Sequence, residues 1–145
     1  MAYIEESFYR QVLRAIPILC VDLVIRHEGH YLLVKRARAP LRGRWWVPGG
    51  RILKGESVVE AAHRKAKEEV GLALAGEHVC GYFEGRFHSS HQGPAVHTVS
   101  IVVEATPKLD SGSLTEAVRL EAQSTAWKLS PTLPRDFVIR PFGKG

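Results

Sequence analysis

The stretch from Trp45 to Leu72 constrains the fold most, because it carries its own start and stop signals. Ser57 followed by Glu60 is a capping box, in which each side chain satisfies a backbone amide that the first helical turn leaves free. Val59, Ala62, Ala66 and Val70 then recur at helical spacing, and Gly71 supplies the left-handed stop. The spacing predicts a helix over 58–70. Just before it, Trp45-Trp46-Val47 leads into Pro48-Gly49-Gly50, read as a loop whose glycines let backbone approach a ligand closely. On the helix, Arg64, Lys65, Glu68 and Glu69 are predicted to share the side opposite Val59, Ala62 and Ala66.

Around this unit the chain reads as strands. Ile16 to Ile25 and Tyr31 to Lys35 are rich in Val, Ile and Leu and are separated by Glu28-Gly29, which predicts a strand pair. Leu72 to Arg86, Thr98 to Ala105 and Ser124 to Leu129 are further strands, and His88 to Ala95 is a loop of Gly, Pro, His and Ser. Residues 1–14 read as a short amphipathic helix or arm. One helix among several strands gives an α/β (α+β) class, an α/β/α sandwich with a mixed sheet. A length of 145 residues suits one domain, 1–145, and 45% hydrophobic with 24% charged residues excludes disorder. No apolar run approaches the roughly 20 residues of a spanning helix. The opening Met-Ala-Tyr-Ile-Glu-Glu is acidic where a secretory leader would be basic, so a cytoplasmic protein without a membrane partner is expected. Cys20 and Cys80 lie in apolar neighbourhoods without metal spacing and are expected to be buried thiols.

The net charge of +5 is concentrated. Between Lys35 and Lys54 stand seven cations (Lys35, Arg36, Arg38, Arg42, Arg44, Arg51 and Lys54) and no acid, more than the whole excess of the chain. Five are arginines interleaved with Trp45 and Trp46, a mixture suited to gripping phosphate with a planar fork and stacking a base. Adjacent Glu68 and Glu69 near a glycine turn suggest a magnesium site, since hard cations take carboxylates, substrate phosphates and free carbonyls as ligands. Glu56 stands where it favours the helix dipole or pairs with Arg64.

Gly50, Glu56, Arg64, Glu68, Glu69, Gly71 and Leu72 fall in the spacing G-x5-E-x7-R-E-U-x-E-E-x-G-U, with U a bulky aliphatic residue; seven of nine specified positions match, Ala66 is a small U and Lys65 departs. This resembles the box of the Nudix family. The resemblance implies a mixed sheet between helices and hydrolysis of a nucleoside diphosphate linked to another group, with Mg²⁺ or Mn²⁺. Within the family the chain is most similar to the GDP-mannose mannosyl hydrolase branch, over Phe8 to Pro17, Val21-Asp22, Leu32 to Arg36, Trp46 to Arg51 and His97. That branch also lacks the glutamate that Lys65 replaces. It implies attack of water on the sugar's anomeric carbon, where ordinary members break a phosphorus–oxygen bond.

Carried over residue by residue, the resemblance implies metal ligands at Gly49, Glu68 and Glu69, with Arg64 orienting the carboxylates. It implies substrate contacts at Phe8, Asp22, Arg36 and Arg51, and at His88 and His97 near the sugar. Lys65 stands at i,i+4 to Glu69 and is expected to pair with it, lowering metal affinity. The branch's base histidine is missing from Leu120-Glu121-Ala122-Gln123-Ser124-Thr125-Ala126-Trp127, which leaves Glu121 as metal ligand or water-activating carboxylate. His91 joins His88 and His97 in one loop as another candidate. The expected partners are a nucleotide sugar and, by resemblance, a second copy of the chain. A pyrophosphatase acting on a nucleotide sugar or nucleoside triphosphate is the first rival reading. A catalytically weak nucleotide- or RNA-binding module is the second, although nucleic acid is not the expected partner.

Overall fold

The computed structural model describes residues 4–143, so Met1 to Tyr3 of the acidic opening lie outside it. The elements run α1 (Glu6–Ala15), β1 (Ile18–His27), β2 (His30–Arg36), β3 (Trp45–Trp46), β4 (Gly49–Arg51), α2 (Val58–Val70), β5 (Ala73–Phe87), β6 (Val96–Lys108), α3 (Leu114–Ala117) and β7 (Ser124–Ser130). The expected helix is present with its signals in use. Ser57 Oγ accepts from the Glu60 amide at 3.0 Å, Glu60 reaches back to the Ser57 amide, and Gly71 closes the helix at φ 70°.

β1 and β2 form the expected hairpin, with Glu28 and Gly29 both at positive φ as a two-residue turn with right-handed strand twist requires. The pair splays after His27↔His30 and Arg26↔Tyr31, and residues 45–51 enter the gap. β3 pairs with β2, whereas β4 pairs with β1 at Asp22↔Gly49, Val21↔Gly50 and Cys20↔Arg51. The segment expected as a loop is therefore partly a strand. On its other side β1 runs parallel to β6, and β6 is antiparallel to β5, so the sheet is mixed.

Alternation along β1 builds two cores. Val21, Leu23 and Ile25 face α2 and meet Ala62, Ala66 and Val70, each large side chain contributing about 1.5–3 kcal/mol by burial. Val24 on the opposite face packs with Trp46, Phe83, Val102 and Phe137. That second face is covered by α1, through Leu13, Tyr9 and Val12, and by the irregular carboxy-terminal segment carrying Phe137 and Ile139. Arg140 of this segment exchanges both backbone hydrogen bonds with Tyr82 on the outer edge of β5, at 2.9 and 2.8 Å.

Two expectations about burial need correction. Val59 is exposed, and the buried side of α2 includes Lys65 and Glu69 together with Ala61, Ala62, Ala66 and Val70. Glu69 follows Lys65 by one turn and lies next to Val70, so the two charged residues border the apolar stripe instead of opposing it. Cys20 is buried, with its thiol pushed up to about 12 mainly by burial, but Cys80 is only half-buried.

Candidate active site

The splayed hairpin leaves a cleft of about 400 Å³ between β1, β4, α1 and the loops after β2 and β5. Asp22, Arg36, Arg38, Gly49, Arg51 and Lys65 line it. Thus three of the seven clustered cations converge there. Arg36 is half-buried; its Nε donates to the Pro40 carbonyl at 2.8 Å, and the negative fields of Glu69 and Asp22 partly offset the effect of burial on its charge. The Arg51 guanidinium lies 5.0 Å from the centre of the Tyr9 ring. A planar cation held over an aromatic face leaves its edge free for a phosphate.

Behind this wall α2 supplies the acids. Arg64 is their organiser: Nε donates to Glu56 Oε2 at 2.6 Å, one terminal nitrogen reaches Glu68 Oε2 at 3.0 Å, and the other reaches Glu56 Oε1 at 3.0 Å and the Arg51 carbonyl at 2.9 Å. These bonds hold the Glu56 carboxyl below its usual range, the Arg64 hydrogen bonds being the largest cause. Glu69 is 2% exposed, and burial raises its carboxyl above the usual range against the opposing pull of Lys65. Lys65 Nζ lies 3.2 Å from Glu69 Oε1 and 3.4 Å from Glu68 Oε2. The approach to Glu69 is an ion-pair distance without hydrogen-bond alignment, so Glu69 Oε1 is a buried oxygen lacking a hydrogen-bond partner.

Glycines fix the front of the site. A Cβ on Gly49 would come within 2.5 Å of both Asp22 Oδ1 and the Val21 carbonyl, and one on Gly50 within 2.6 Å of Lys65 Cε. Leu23 N donates to the Pro48 carbonyl and Ile52 N to the Leu19 carbonyl, so the antiparallel alternation turns the polar groups of Gly49 away from β1. The Gly49 carbonyl is thereby left unclaimed by the ladder. Asp22 is 9% exposed and its carboxyl is pushed up to about 7, chiefly by burial and further by the charge of Glu69, with a hydrogen bond from Ser100 opposing.

An unclaimed carbonyl, a buried carboxylate oxygen without a hydrogen-bond partner and a second carboxylate form a donor set that suits a hard cation. Among the described residues no three His, Cys, Asp or Glu side chains cluster closely enough to make a metal site alone. The backbone oxygen and a ligand oxygen would have to complete it. In the fold as it stands, the cation beside both glutamates is the Lys65 ammonium.

Other sequence candidates stand apart. Phe8 is 57% exposed and does not line the cleft; Tyr9, one residue on, does. His88 and His97 line a neighbouring recess that shares Leu13, Phe87 and Val96 with the cleft, whereas His91 reaches the cleft itself with Ser90 and Gln92. Glu121 is exposed, but its amide donates to the Glu69 carbonyl at 3.4 Å and its charge acts on Glu69. Trp46 is no stacking platform: its ring is buried edge-on to Phe83 and Phe137, at 5.8 and 5.5 Å between centroids. Trp45 instead lies under Lys128, whose Nζ is 4.5 Å from the ring centre. Tyr9, Lys65 and Ser90, whose buried hydroxyl has no hydrogen-bond partner, are cleft residues that sequence reasoning did not place there.

Comparison with known proteins gives this geometry a context. A family model described as the NUDIX domain matches residues 17–134. The low-salt glycan biosynthesis protein Agl8 of Haloferax volcanii is 40% identical over 87 residues, 60% of this chain and 56% of that protein. An ADP-ribose pyrophosphatase of Methanocaldococcus jannaschii is 36% identical over 86 residues, 59% of this chain and 48% of that protein. The chain thus spans about half the length of these two curated relatives. A MutT NUDIX hydrolase from Burkholderia pseudomallei superposes with a TM-score of 0.66 at 28% identity, covering 88% of this chain and 91% of that one.

Proposed function

The chain belongs to the Nudix family, and on that premise we propose that it hydrolyses a nucleoside diphosphate linked to a sugar, with Mg²⁺ or Mn²⁺ held by Glu69, Glu68 and the Gly49 carbonyl. One observation carries the reading: the unclaimed Gly49 carbonyl lines a cleft walled by Arg36, Arg38 and Arg51, and Lys65, which also lines it, stands between that cleft and the carboxylates of Glu68 and Glu69. Oxygen donors and arginine forks together match a diphosphate and its cation, and neither alone would. The relatives support the substrate class, one named for glycan biosynthesis and the other for ADP-ribose hydrolysis.

Each residue then has a task. Arg36 and Arg51 grip the diphosphate and neutralise charge that builds on the departing group. Asp22 faces the cleft with a carboxyl near neutrality in its titration, suited to exchanging a hydrogen bond with a substrate hydroxyl. Arg64 keeps Glu56 and Glu68 in fixed orientation, and Glu121, an exposed carboxylate whose charge acts on Glu69, is the group to take a proton from water. The divalent ion, when bound, supplies Lewis-acid polarisation of the phosphoryl oxygens.

Following the sequence resemblance, the cleavage proposed first is that of the GDP-mannose enzymes, attack at the anomeric carbon to give nucleoside diphosphate and free sugar. Phosphorus–oxygen cleavage is the second reading. It is favoured by Glu68, held by Arg64 on the same side as Glu69, and by the lack of a histidine near Glu121. Hydrolysis of a panel of nucleotide sugars in ¹⁸O-labelled water decides: label in the sugar supports the first, and label only in phosphate supports the second. In the same assay Glu69→Gln should lower kcat at least about 100-fold at unchanged shape. Retained turnover would remove Glu69 from the site, and no hydrolysis of any nucleotide sugar would overturn the proposal.

A further inference from the structure

Lys65 holds a position that the box pattern gives to an acid, and the fold makes room for it. The side chain is 10% exposed, its stem lies over Gly50, and its ammonium stands beside both Glu68 and Glu69. Neither glutamate is among the cleft-lining residues, whereas Lys65 is. An incoming cation therefore meets the ammonium before it meets the carboxylates. While the ammonium stays, one positive charge already neutralises the buried Glu69, and a second cation would be placed about an ion-pair distance from it, where repulsion is strong. The ammonium cannot simply move into apolar surroundings, because an unpaired buried charge is costly. It needs another anion within reach, and the place its stem already borders is the cleft with Arg36 and Arg51.

Resting on the function proposed above, we infer that Lys65 is an exchangeable internal cation: when a diphosphate enters the cleft, the ammonium transfers from Glu69 to the phosphate and vacates the carboxylate for the divalent ion. Two consequences separate this from a lysine that merely lowers metal affinity. Mn²⁺ alone binds weakly to the free protein, and a nucleoside diphosphate strengthens that binding beyond its own affinity for Mn²⁺. Coupling between two ligands through one shared group commonly amounts to about 5- to 150-fold.

The test measures Mn²⁺ binding by titration calorimetry and by the electron paramagnetic resonance signal of free Mn²⁺, with and without ADP, corrected for the solution Mn–ADP complex. Wild type is compared with Lys65→Met. The expected result is at least about 10-fold tighter Mn²⁺ binding to Lys65→Met without nucleotide, and at least about 5-fold greater enhancement by ADP in wild type than in the variant. Equal Mn²⁺ affinity in the two proteins overturns the inference, as does equal enhancement by ADP. Absence of Mn²⁺ binding to both proteins in every condition overturns the metal site of the proposed function, and the exchange with it. Should Lys65→Met fail to fold, Gly50→Ala gives the same readout. Its methyl group would meet the flexible end of Lys65 at 2.6 Å and displace the ammonium while keeping the charge, so Mn²⁺ binding should tighten; unchanged binding overturns the inference.

Discussion

Replacing Arg64 by lysine keeps the charge and removes the fork, and the structure sets the size of the effect. Arg64 spans Glu56 through two nitrogens at 2.6 and 3.0 Å, Glu68 at 3.0 Å and the Arg51 carbonyl at 2.9 Å. A lysine ammonium at the end of a straight stem retains one of these partners. Side-chain exposures of 19% for Arg64, 13% for Glu56 and 23% for Glu68 leave water limited access to replace the rest. Hydrogen bonds to charged groups are worth roughly 1.5–3 kcal/mol each, and partial hydration recovers some of that. Losing the other two of its three partners should therefore cost about 3 kcal/mol, or roughly 6–12 °C in Tm for a chain of this size. The assay is urea denaturation at pH 7 of wild type, Arg64→Lys, Glu56→Gln and the double variant. A coupling energy of about 2 kcal/mol between the two positions is expected. A loss below about 1 kcal/mol with additive single effects would refute the view that Arg64 joins the turn before α2 to the helix through these bonds.

Gly49→Ala should destabilise by at least about 2 kcal/mol, because its methyl group would press on the Val21 carbonyl as well as the Asp22 carboxyl; chemical denaturation showing a neutral effect would contradict the β1–β4 register. The depressed Glu56 carboxyl predicts a pH effect of known sign. Its stabilisation is complete above the ordinary value of 4.5 and is lost as pH falls through the lower folded value, so Glu56→Gln should flatten the acid limb of a Tm profile. Asp22 predicts the reverse: with its carboxyl raised from 3.8 to about 7, unfolding releases a proton between these values and stability falls as pH rises. Asp22→Asn should thus raise Tm of the metal-free protein more at pH 8 than at pH 5, and an equal change at both would refute the burial of a free carboxyl. Tyr9→Ala should raise KM for a nucleotide sugar while Phe8→Ala leaves it unchanged; equal effects would displace the cleft from α1.

The parts of the fold that the sequence announced are those with local punctuation. α2 carries its cap, its period and its glycine stop, and the β1–β2 turn is marked by Glu28-Gly29. β3, β4 and α3 have two, three and four residues, and elements that short arise from pairing and packing with distant partners, which no local pattern encodes. The site shows the same division. The spacing of Glu56, Arg64 and Glu68 on a helix and its approach made their meeting legible. Phe8 and Tyr9 differ by a single helical step of about 100°, enough to move a side chain from cleft to solvent. Along β6, Val96 and Thr98 line the cleft and His97 between them does not, because neighbouring strand residues face opposite ways. The charge of Lys65 was visible, but its place between the acids and the cleft depends on Gly50 leaving space for its stem.

The residues after β7 have almost no regular structure, yet they close one flank of the molecule. Phe137 seals the aromatic core against Trp46 and Phe83, and Arg140 clips onto Tyr82 at the margin of a fifteen-residue strand. Bare amides along a strand that long invite a foreign strand to join. Trimming the chain before Leu133 would uncover greasy rings and unsatisfied edge groups at once, and Trp46 and Phe83 of the cleft wall would lose their backing, so such a cut should cause clumping between molecules and loosen the cleft together.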